Sequence, residues 1–167
     1  MKDDGQVLVN LGLVHRDGEW VPYWDGGIQW MREQGWRRFG WYVWDQGSGL
    51  PGDWCGRFAP SHEWIFHFNK ESKRPEKNVA KKPDSIKAKK STDGGLRGKD
   101  GVVSRLYSPL ACMQAEKIGD SVVRINRSHE AIRSDHPAVF PLELPAFVLE
   151  CWPSDVYDPF LGSGTTL

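Results

Sequence analysis

The segment from Val156 to Leu167 reads VYDPFLGSGTTL and combines residue types suited to binding a nucleotide-like ligand. Two apolar residues precede Asp158, which predicts the end of a short buried strand and then a tight turn. Gly162 and Gly164 favour such a turn, because glycine accepts positive φ and lets a ligand approach the backbone. The serine and threonines around them favour the start of a helix. A strand, a glycine turn and a helix start bring backbone N–H groups to one place, where they can bind the ligand.

The spacing of these glycines excludes two common nucleotide-binding motifs. A phosphate-binding P-loop needs a lysine after its last glycine, and this segment has none. The GxGxxG pattern of dinucleotide-binding domains requires a glycine where Leu167 stands. The GSG tripeptide alone is also compatible with an ordinary glycine-rich loop. The nine residues DPFLGSGTT form a far more specific pattern than this tripeptide.

The elements that must position this segment alternate along the chain. Apolar and aromatic runs predict strands over 5–14, 37–46, 63–70 and 155–158, and helical spacing predicts helices between the Gly26-Gly27 pair and Gly35 and over 144–152. This order is typical of an α/β domain with a mixed sheet. The helix that the glycine turn should begin is not reached before Leu167, so we expect the chain to be a fragment.

Charge is unevenly distributed along the chain. Lysine plus arginine equal aspartate plus glutamate at 22 each, so the net charge is zero. Residues 70–105 nevertheless contain 12 basic and 5 acidic side chains and few aliphatic ones. Such a composition predicts a basic flexible insert, because it buries too little apolar area to offset the entropy of ordering. A solvated linker and a surface that neutralises phosphates are both compatible with it.

Two other functional classes find little support in the residues. In HEWIFHF, His62 and Glu63 should face opposite sides of a strand, as should His62 and His67, so no metal site is predicted. The three cysteines lack CxxC spacing, which supports neither a zinc site nor a disulfide framework and suits a reducing cytoplasm. No apolar run approaches the ~20 residues of a membrane span. The sequence predicts a soluble cytoplasmic protein that does not bind membranes, of open oligomeric state.

A family resemblance rests on two stretches near the end of the chain. DPFLGSGTT resembles the S-adenosylmethionine-binding motif of DNA N4-cytosine and N6-adenine methyltransferases, and HPAVFPLELPAFVLECW resembles the motif that flanks the same pocket. VLVNLG, YVWDQ and HEWIFHFNK match less specifically. The order, with the cofactor motif last, resembles the permuted β-type arrangement. The resemblance implies a partial Rossmann-like methyltransferase fold with a mixed sheet, incomplete at both ends.

The resemblance also implies three regions and a set of site residues. The catalytic half of the domain would occupy 1–69, a target-recognition and DNA-contact region 70–105, and the cofactor-binding part 106–167. Cofactor contacts would come from Asp158, Pro159, Phe160, Gly162, Ser163, Gly164, Thr165, His136, Pro137, Phe140 and Pro141. Contacts to double-stranded DNA would come from Lys81, Lys82, Lys87, Lys89, Lys90, Arg97 and Lys99. A turn of the chain is the alternative role for Phe140 and Pro141, and a helix cap for His136.

The catalytic motif of this family is absent from the sequence. Its members carry (D/S/N)PP(Y/F), which holds and stacks on the flipped base, and no such tetrapeptide occurs among the 167 residues. No catalytic residue is therefore predicted here. The strand at 155–158 would lack both neighbours that the family's sheet order gives it, so we expect the chain alone to aggregate or partly unfold and to transfer no methyl group. A cooperative melt together with methyl incorporation into DNA would contradict this.

The resemblance thus implies a DNA methyltransferase fragment whose parent transfers a methyl group from S-adenosylmethionine to N6 of adenine or N4 of cytosine. Two alternatives stay open: a non-catalytic DNA-binding remnant and a nucleotide-binding oxidoreductase fragment. The target base, the recognition sequence and an accompanying restriction enzyme are not specified by these residues.

Overall fold

The computed structural model describes residues 3–80, 96–97, 99–104, 116–127 and 141–160. The chain divides into one unit of Met1–Glu76 with Asp120–Leu167 and a second unit of Lys77–Gly119. In chain order the elements are β1 (Gln6–Leu11), β2 (His15–Arg16), β3 (Glu19–Trp20), α1 (Trp24–Glu33), β4 (Arg37–Asp45), β5 (His62–Asn69), β6 (Val79–Ala80), β7 (Leu96–Arg97), β8 (Val103–Ser104), β9 (Glu116–Lys117), β10 (Val122–Arg124) and α2 (Glu143–Cys151).

The first unit contains a four-stranded mixed sheet in the order β1-β5-β4-β10. Strand β5 is antiparallel to both β1 and β4, and β10 is parallel to β4. Strands β1, β4 and β10 therefore all point the same way and end at the same edge, called here the carboxyl edge. The predicted α/β character and mixed sheet are confirmed.

Strand β5 is central because its sequence is apolar on both faces. Ile65 is buried on one face and Phe66 and Phe68 on the other. Its partner β4 carries an irregularity between Arg38 and Gly40. Gly40 is required there, since an added Cβ would overlap the Tyr42 ring.

Helix α1 follows β1 along the chain and places its half-buried residues one helical turn apart. Trp24, Ile28 and Met31 follow the i, i+4, i+7 spacing of an amphipathic helix. Gly35 ends the helix with φ of 83°, and its N–H donates to the Arg32 carbonyl at 2.9 Å. The predicted stop at Gly35 is confirmed, while the helix begins at Trp24, earlier than the glycine pair suggests.

The core of the first unit lies between the sheet and helix α2. Trp44, Ile65 and Val123 come from three strands and meet Leu144 of the helix. Leu144, Phe147 and Cys151 recur at helical spacing, so one stripe of α2 faces the sheet. The predicted helix over 144–152 is confirmed within one residue at each end.

The predicted strand at 155–158 is wrong. These residues belong to no strand of the described chain. A strand is defined by its hydrogen-bonded neighbours rather than by its own composition, and the apolar pair before Asp158 is only a local signal.

The second unit is described in four short pieces. Its β6 pairs with β9, and β7 pairs with β8, both antiparallel. Within the described ranges of both units, no helix is long and apolar enough to cross a membrane.

Candidate functional site

The end of helix α2 is tied to the segment that follows β5. The Trp152 indole Nε1–H donates to the Lys73 carbonyl at 3.0 Å, and the Glu76 N–H donates to the Cys151 carbonyl at 2.8 Å. The Trp152 ring also meets the His67 ring edge to face, with centroids 5.0 Å apart. The bond from Glu76 satisfies a carbonyl in the last turn of the helix, and the three contacts together fix where the chain leaves the helix.

Replacing Trp152 with phenylalanine is expected to lower the free energy of unfolding by about 1 kcal/mol. The change keeps an aromatic ring against His67 and removes the indole donor to the Lys73 carbonyl. Urea denaturation followed by circular dichroism measures the loss. Trp30→Phe, at an exposed position of α1, is the matched control; an equal loss in both variants would contradict the assigned role.

A polar cluster lies beneath this anchor on the same face of the sheet. His67 and Asn69 are both 0% exposed. His67 Nε2 lies 2.9 Å from Gln6 Oε1, and its Nδ1 lies 2.9 Å from the Tyr42 hydroxyl. Gln6 Oε1 also accepts from Asn69 Nδ2 at 3.1 Å, and Asn69 Oδ1 accepts from the Arg37 guanidinium at 2.8 Å. An amide oxygen only accepts, so the His67 proton sits on Nε2 and the Tyr42 hydroxyl donates to Nδ1.

Burial controls the charge state of this cluster. It lowers the pKa of His67 from its ordinary 6.5 to about 4. Burial, with a smaller contribution from Cys151, raises the pKa of the Tyr42 phenol. Both groups are therefore neutral near pH 7. The hydrogen bonds among Gln6, Tyr42, His67 and Asn69 fix β1, β4 and β5 against one another, and the His67 ring supports Trp152 at the end of α2.

After Trp152 the chain turns back along the helix. Ala146, Leu149, Glu150 and Pro153 lie at successive helical spacings, and they line an open hollow of about 480 Å³ together with Ser154 and Val156. Because Val156 shares this hollow with Ala146, the segment after Pro153 returns toward the first half of α2. The hollow is lined largely by apolar side chains, as ligand pockets usually are.

The Asp158 turn follows directly on this hollow. The half-buried Asp158 accepts a hydrogen bond at Oδ1 from the Phe160 N–H, at 2.9 Å. This bond closes a short turn through Pro159, in which a side-chain oxygen takes the place of a backbone carbonyl. The rings of Tyr157 and Phe160 are each 89% exposed. The turn is thus ordered by its own acid and leaves the Phe160 side chain exposed to solvent.

The structure describes four of the predicted cofactor residues. Asp158, Pro159 and Phe160 form the turn, and Pro141 is buried just before α2, where its carbonyl accepts from the Leu144 N–H at 3.1 Å. The remaining predicted cofactor residues lie outside the described residues: Gly162, Ser163, Gly164, Thr165, His136, Pro137 and Phe140.

Two of the predicted DNA-contact residues are described. Arg97 lies in β7, and Lys99 is exposed in the turn between β7 and β8. That turn is closed by Asp100, whose Oδ1 accepts from the Val102 N–H at 3.1 Å. Outside the described residues lie Lys81, Lys82, Lys87, Lys89 and Lys90.

The histidines of HEWIFHF are separated by the sheet, as strand geometry predicts. His62 is exposed and its ring packs on Trp64, whereas His67 is buried on the opposite face. Among the described residues no group of three histidine, cysteine, aspartate or glutamate side chains is arranged to hold a metal ion.

Sequence reasoning missed the polar cluster around His67. Its members come from three strands, and Gln6 and His67 are 61 residues apart in sequence. The available signal was a histidine and an asparagine two residues apart in an otherwise apolar strand, which places both on one buried face.

Comparison with known protein families agrees with this reading of the motifs. A family model described as DNA methylase matches residues 1–167, the whole of the chain. The chain belongs to the DNA N4-cytosine/N6-adenine methyltransferase family. The family resemblance carried by DPFLGSGTT and HPAVFPLELPAFVLECW is confirmed. No curated protein matches this methyltransferase family member.

Proposed function

We propose that this chain binds S-adenosylmethionine at the Asp158 turn and belongs to an enzyme that methylates N6 of adenine or N4 of cytosine in double-stranded DNA. The observation that carries the proposal is the ordered turn at Asp158 beside an apolar hollow on α2. Family membership supports the reaction class. A Rossmann-like arrangement around this sheet is part of the same proposal.

The described residues offer such a cofactor a largely apolar surface next to the turn. The hollow, of about 480 Å³, is open to solvent, so further residues would have to enclose a bound ligand. Ala146, Leu149 and Val156 offer apolar contact to an adenine ring. In the proposal Pro159, Phe160 and Pro141 shape the pocket, and the glycines and hydroxyls at Gly162, Ser163, Gly164 and Thr165 contact the methionine part. His136, Pro137 and Phe140 complete its other side.

When bound, S-adenosylmethionine supplies an electrophilic methyl group. The residues of the proposed site bind and orient this cofactor. Their role is positioning, because positioning accounts for much of the rate of a transfer that needs no enzyme-bound intermediate. Asp158 performs this by holding the turn through the Phe160 N–H, which leaves the ring of Phe160 presented outward. We assign no catalytic residue in this chain.

The basic region supplies the DNA contacts in this proposal. Lys81, Lys82, Lys87, Lys89, Lys90, Arg97 and Lys99 would neutralise phosphates, and binding should weaken steeply with salt. Unchanged binding between low and moderate salt would count against this role.

Replacing Asp158 with alanine is expected to weaken binding of S-adenosylhomocysteine about 10- to 100-fold. The change removes the acceptor that closes the turn. Isothermal titration calorimetry measures the affinity. Asp53→Ala is the matched control, because Asp53 closes a similar turn through the Cys55 N–H at 2.9 Å in a different loop; its affinity should stay within about 2-fold of the wild type.

The same titrations separate the alternatives. Equal affinities of wild type and Asp158→Ala would contradict the assigned turn. Binding of NADH in place of S-adenosylhomocysteine would favour the oxidoreductase alternative. Salt-sensitive DNA binding without any cofactor binding would favour a non-catalytic DNA-binding remnant.

A further inference from the structure

Trp152 follows the last residue of helix α2 and opens the segment that leads to the Asp158 turn. It has φ of −134° and ψ of 75°, outside the helical region, and Pro153 cannot continue the helix because it has no N–H to donate. Five residues, 153–157, separate Trp152 from Asp158. A chain of that length spans at most about 20 Å, so a change of direction at Trp152 displaces the turn relative to α2.

The Trp152 side chain is held by two contacts with the sheet and the segment after it. Its indole N–H donates to the Lys73 carbonyl at 3.0 Å, and its ring meets the buried His67 ring with centroids 5.0 Å apart. His67 is itself fixed, because its two ring nitrogens bond to Gln6 of β1 and Tyr42 of β4. The direction in which the chain leaves α2 is therefore set by strands β1, β4 and β5 together.

The segment between this anchor and the turn buries little surface of its own. Residues 153–157 are all exposed, and exposed side chains contribute little to the free energy that orders a segment. The turn itself closes internally, through the bond from the Phe160 N–H to Asp158. That bond does not determine where the turn lies relative to the helix. The position of the turn therefore depends on how the chain is directed at Trp152.

We propose that Trp152 is a positioning residue for cofactor binding, which acts on the ligand through the segment 153–157 and the Asp158 turn. This inference rests on the proposed function, because it takes the turn as part of the cofactor site. An anchored turn is already in the position that the cofactor requires, so binding loses less conformational entropy. When the anchor is weakened, the turn occupies that position for a smaller fraction of the time, and the apparent affinity falls by the same fraction.

Trp152→Phe in the full chain tests the role of the indole donor. The phenylalanine keeps a ring against His67 and loses the hydrogen bond to the Lys73 carbonyl. Isothermal titration calorimetry should show binding of S-adenosylhomocysteine weakened about 3- to 10-fold. The matched control is Trp44→Phe, which also removes an indole donor from a backbone carbonyl, that of Ile125. The control should lose at least as much stability in urea but keep its affinity within about 2-fold of the wild type.

A double-mutant cycle separates positioning from a general loss of stability. In Asp158→Ala the bond that closes the turn is absent, so Trp152 has no formed turn left to position. Adding Trp152→Phe to this variant should therefore weaken S-adenosylhomocysteine binding by less than about 2-fold further. Substitutions that act independently would instead multiply their effects, so that Trp152→Phe weakened binding by the same factor in both backgrounds.

The titrations also distinguish failure of the positioning role from failure of the proposed function. A loss of affinity in Trp44→Phe as large as that in Trp152→Phe would overturn the positioning role, as would an undiminished effect of Trp152→Phe in the Asp158→Ala background. Wild-type binding of S-adenosylhomocysteine with unaltered affinity in Trp152→Phe rejects the positioning role alone and leaves the proposed function standing. A wild-type chain that binds no S-adenosylhomocysteine would overturn both.

Discussion

Replacing Trp44 with alanine is expected to lower the free energy of unfolding of the first unit by about 3 to 5 kcal/mol. Trp44 is 4% exposed and joins β4 to Ile65, Val123 and Leu144, so its removal leaves a cavity at the centre of the core. Its indole also donates to the Ile125 carbonyl at 2.8 Å, and that acceptor would lose its partner. Domains of this size have only about 5 to 15 kcal/mol of stability, so the variant should be largely unfolded in mild denaturant.

Urea denaturation followed by circular dichroism measures this effect. Trp44→Phe keeps most of the ring and loses the donor to Ile125, so its loss should be intermediate. Trp30→Ala, at a position 57% exposed, should change stability by less than about 1 kcal/mol. A Trp44→Ala loss no larger than that of Trp30→Ala would contradict the described core. The urea denaturation of the wild type also tests the prediction that the isolated chain is partly unfolded: a cooperative transition would contradict it.

Lowering the pH from 7.5 to 4 is expected to remove about 3 kcal/mol of stability through His67. The folded-state pKa of His67 is about 4, below its ordinary value of 6.5, because burial disfavours the imidazolium. Between these two values the unfolded chain binds a proton that the folded chain does not. The stabilisation that comes from a neutral, buried His67 is therefore fully present above pH 6.5 and is lost as the pH falls toward 4.

Urea midpoints measured at several pH values test this dependence. His67→Gln retains an amide that can donate to Gln6 and accept from Tyr42 but does not titrate. Between pH 7.5 and 4 this variant should therefore lose about 3 kcal/mol less stability than the wild type. His62→Gln removes an exposed histidine from the same strand and must keep the wild-type slope if the burial of His67 is the cause. A wild-type slope in His67→Gln would contradict the assignment.

Local sequence patterns predicted much of the first unit. Apolar and aromatic runs predicted β1, β4 and β5, and helical spacing with Gly35 predicted the end of α1. These features are local, because strand and helix periods and glycine stops are properties of neighbouring residues. The specific motif DPFLGSGTT predicted the family for the same reason: its spacing is contained in nine consecutive residues.

The outcome at 155–158 illustrates the limit of such patterns. A short apolar run before Asp158 is compatible with a strand, but a strand forms only where a neighbouring backbone pairs with it. The structure instead closes a side-chain turn at Asp158 and leads the chain back along α2. The assigned roles of the glycines and lysines outside the described residues stay predictions.

Short stretches of sequence encode the family, the order of the main elements and the acid that opens the candidate cofactor turn. The contacts of His67 with Gln6 and Tyr42, the bond from Trp152 to the Lys73 carbonyl and the full exposure of Phe58 emerged only from the folded chain. The first two depend on residues far apart in sequence whose pairing follows from strand order and register. Exposure, likewise, is a property of everything that packs around a side chain and not of the side chain alone.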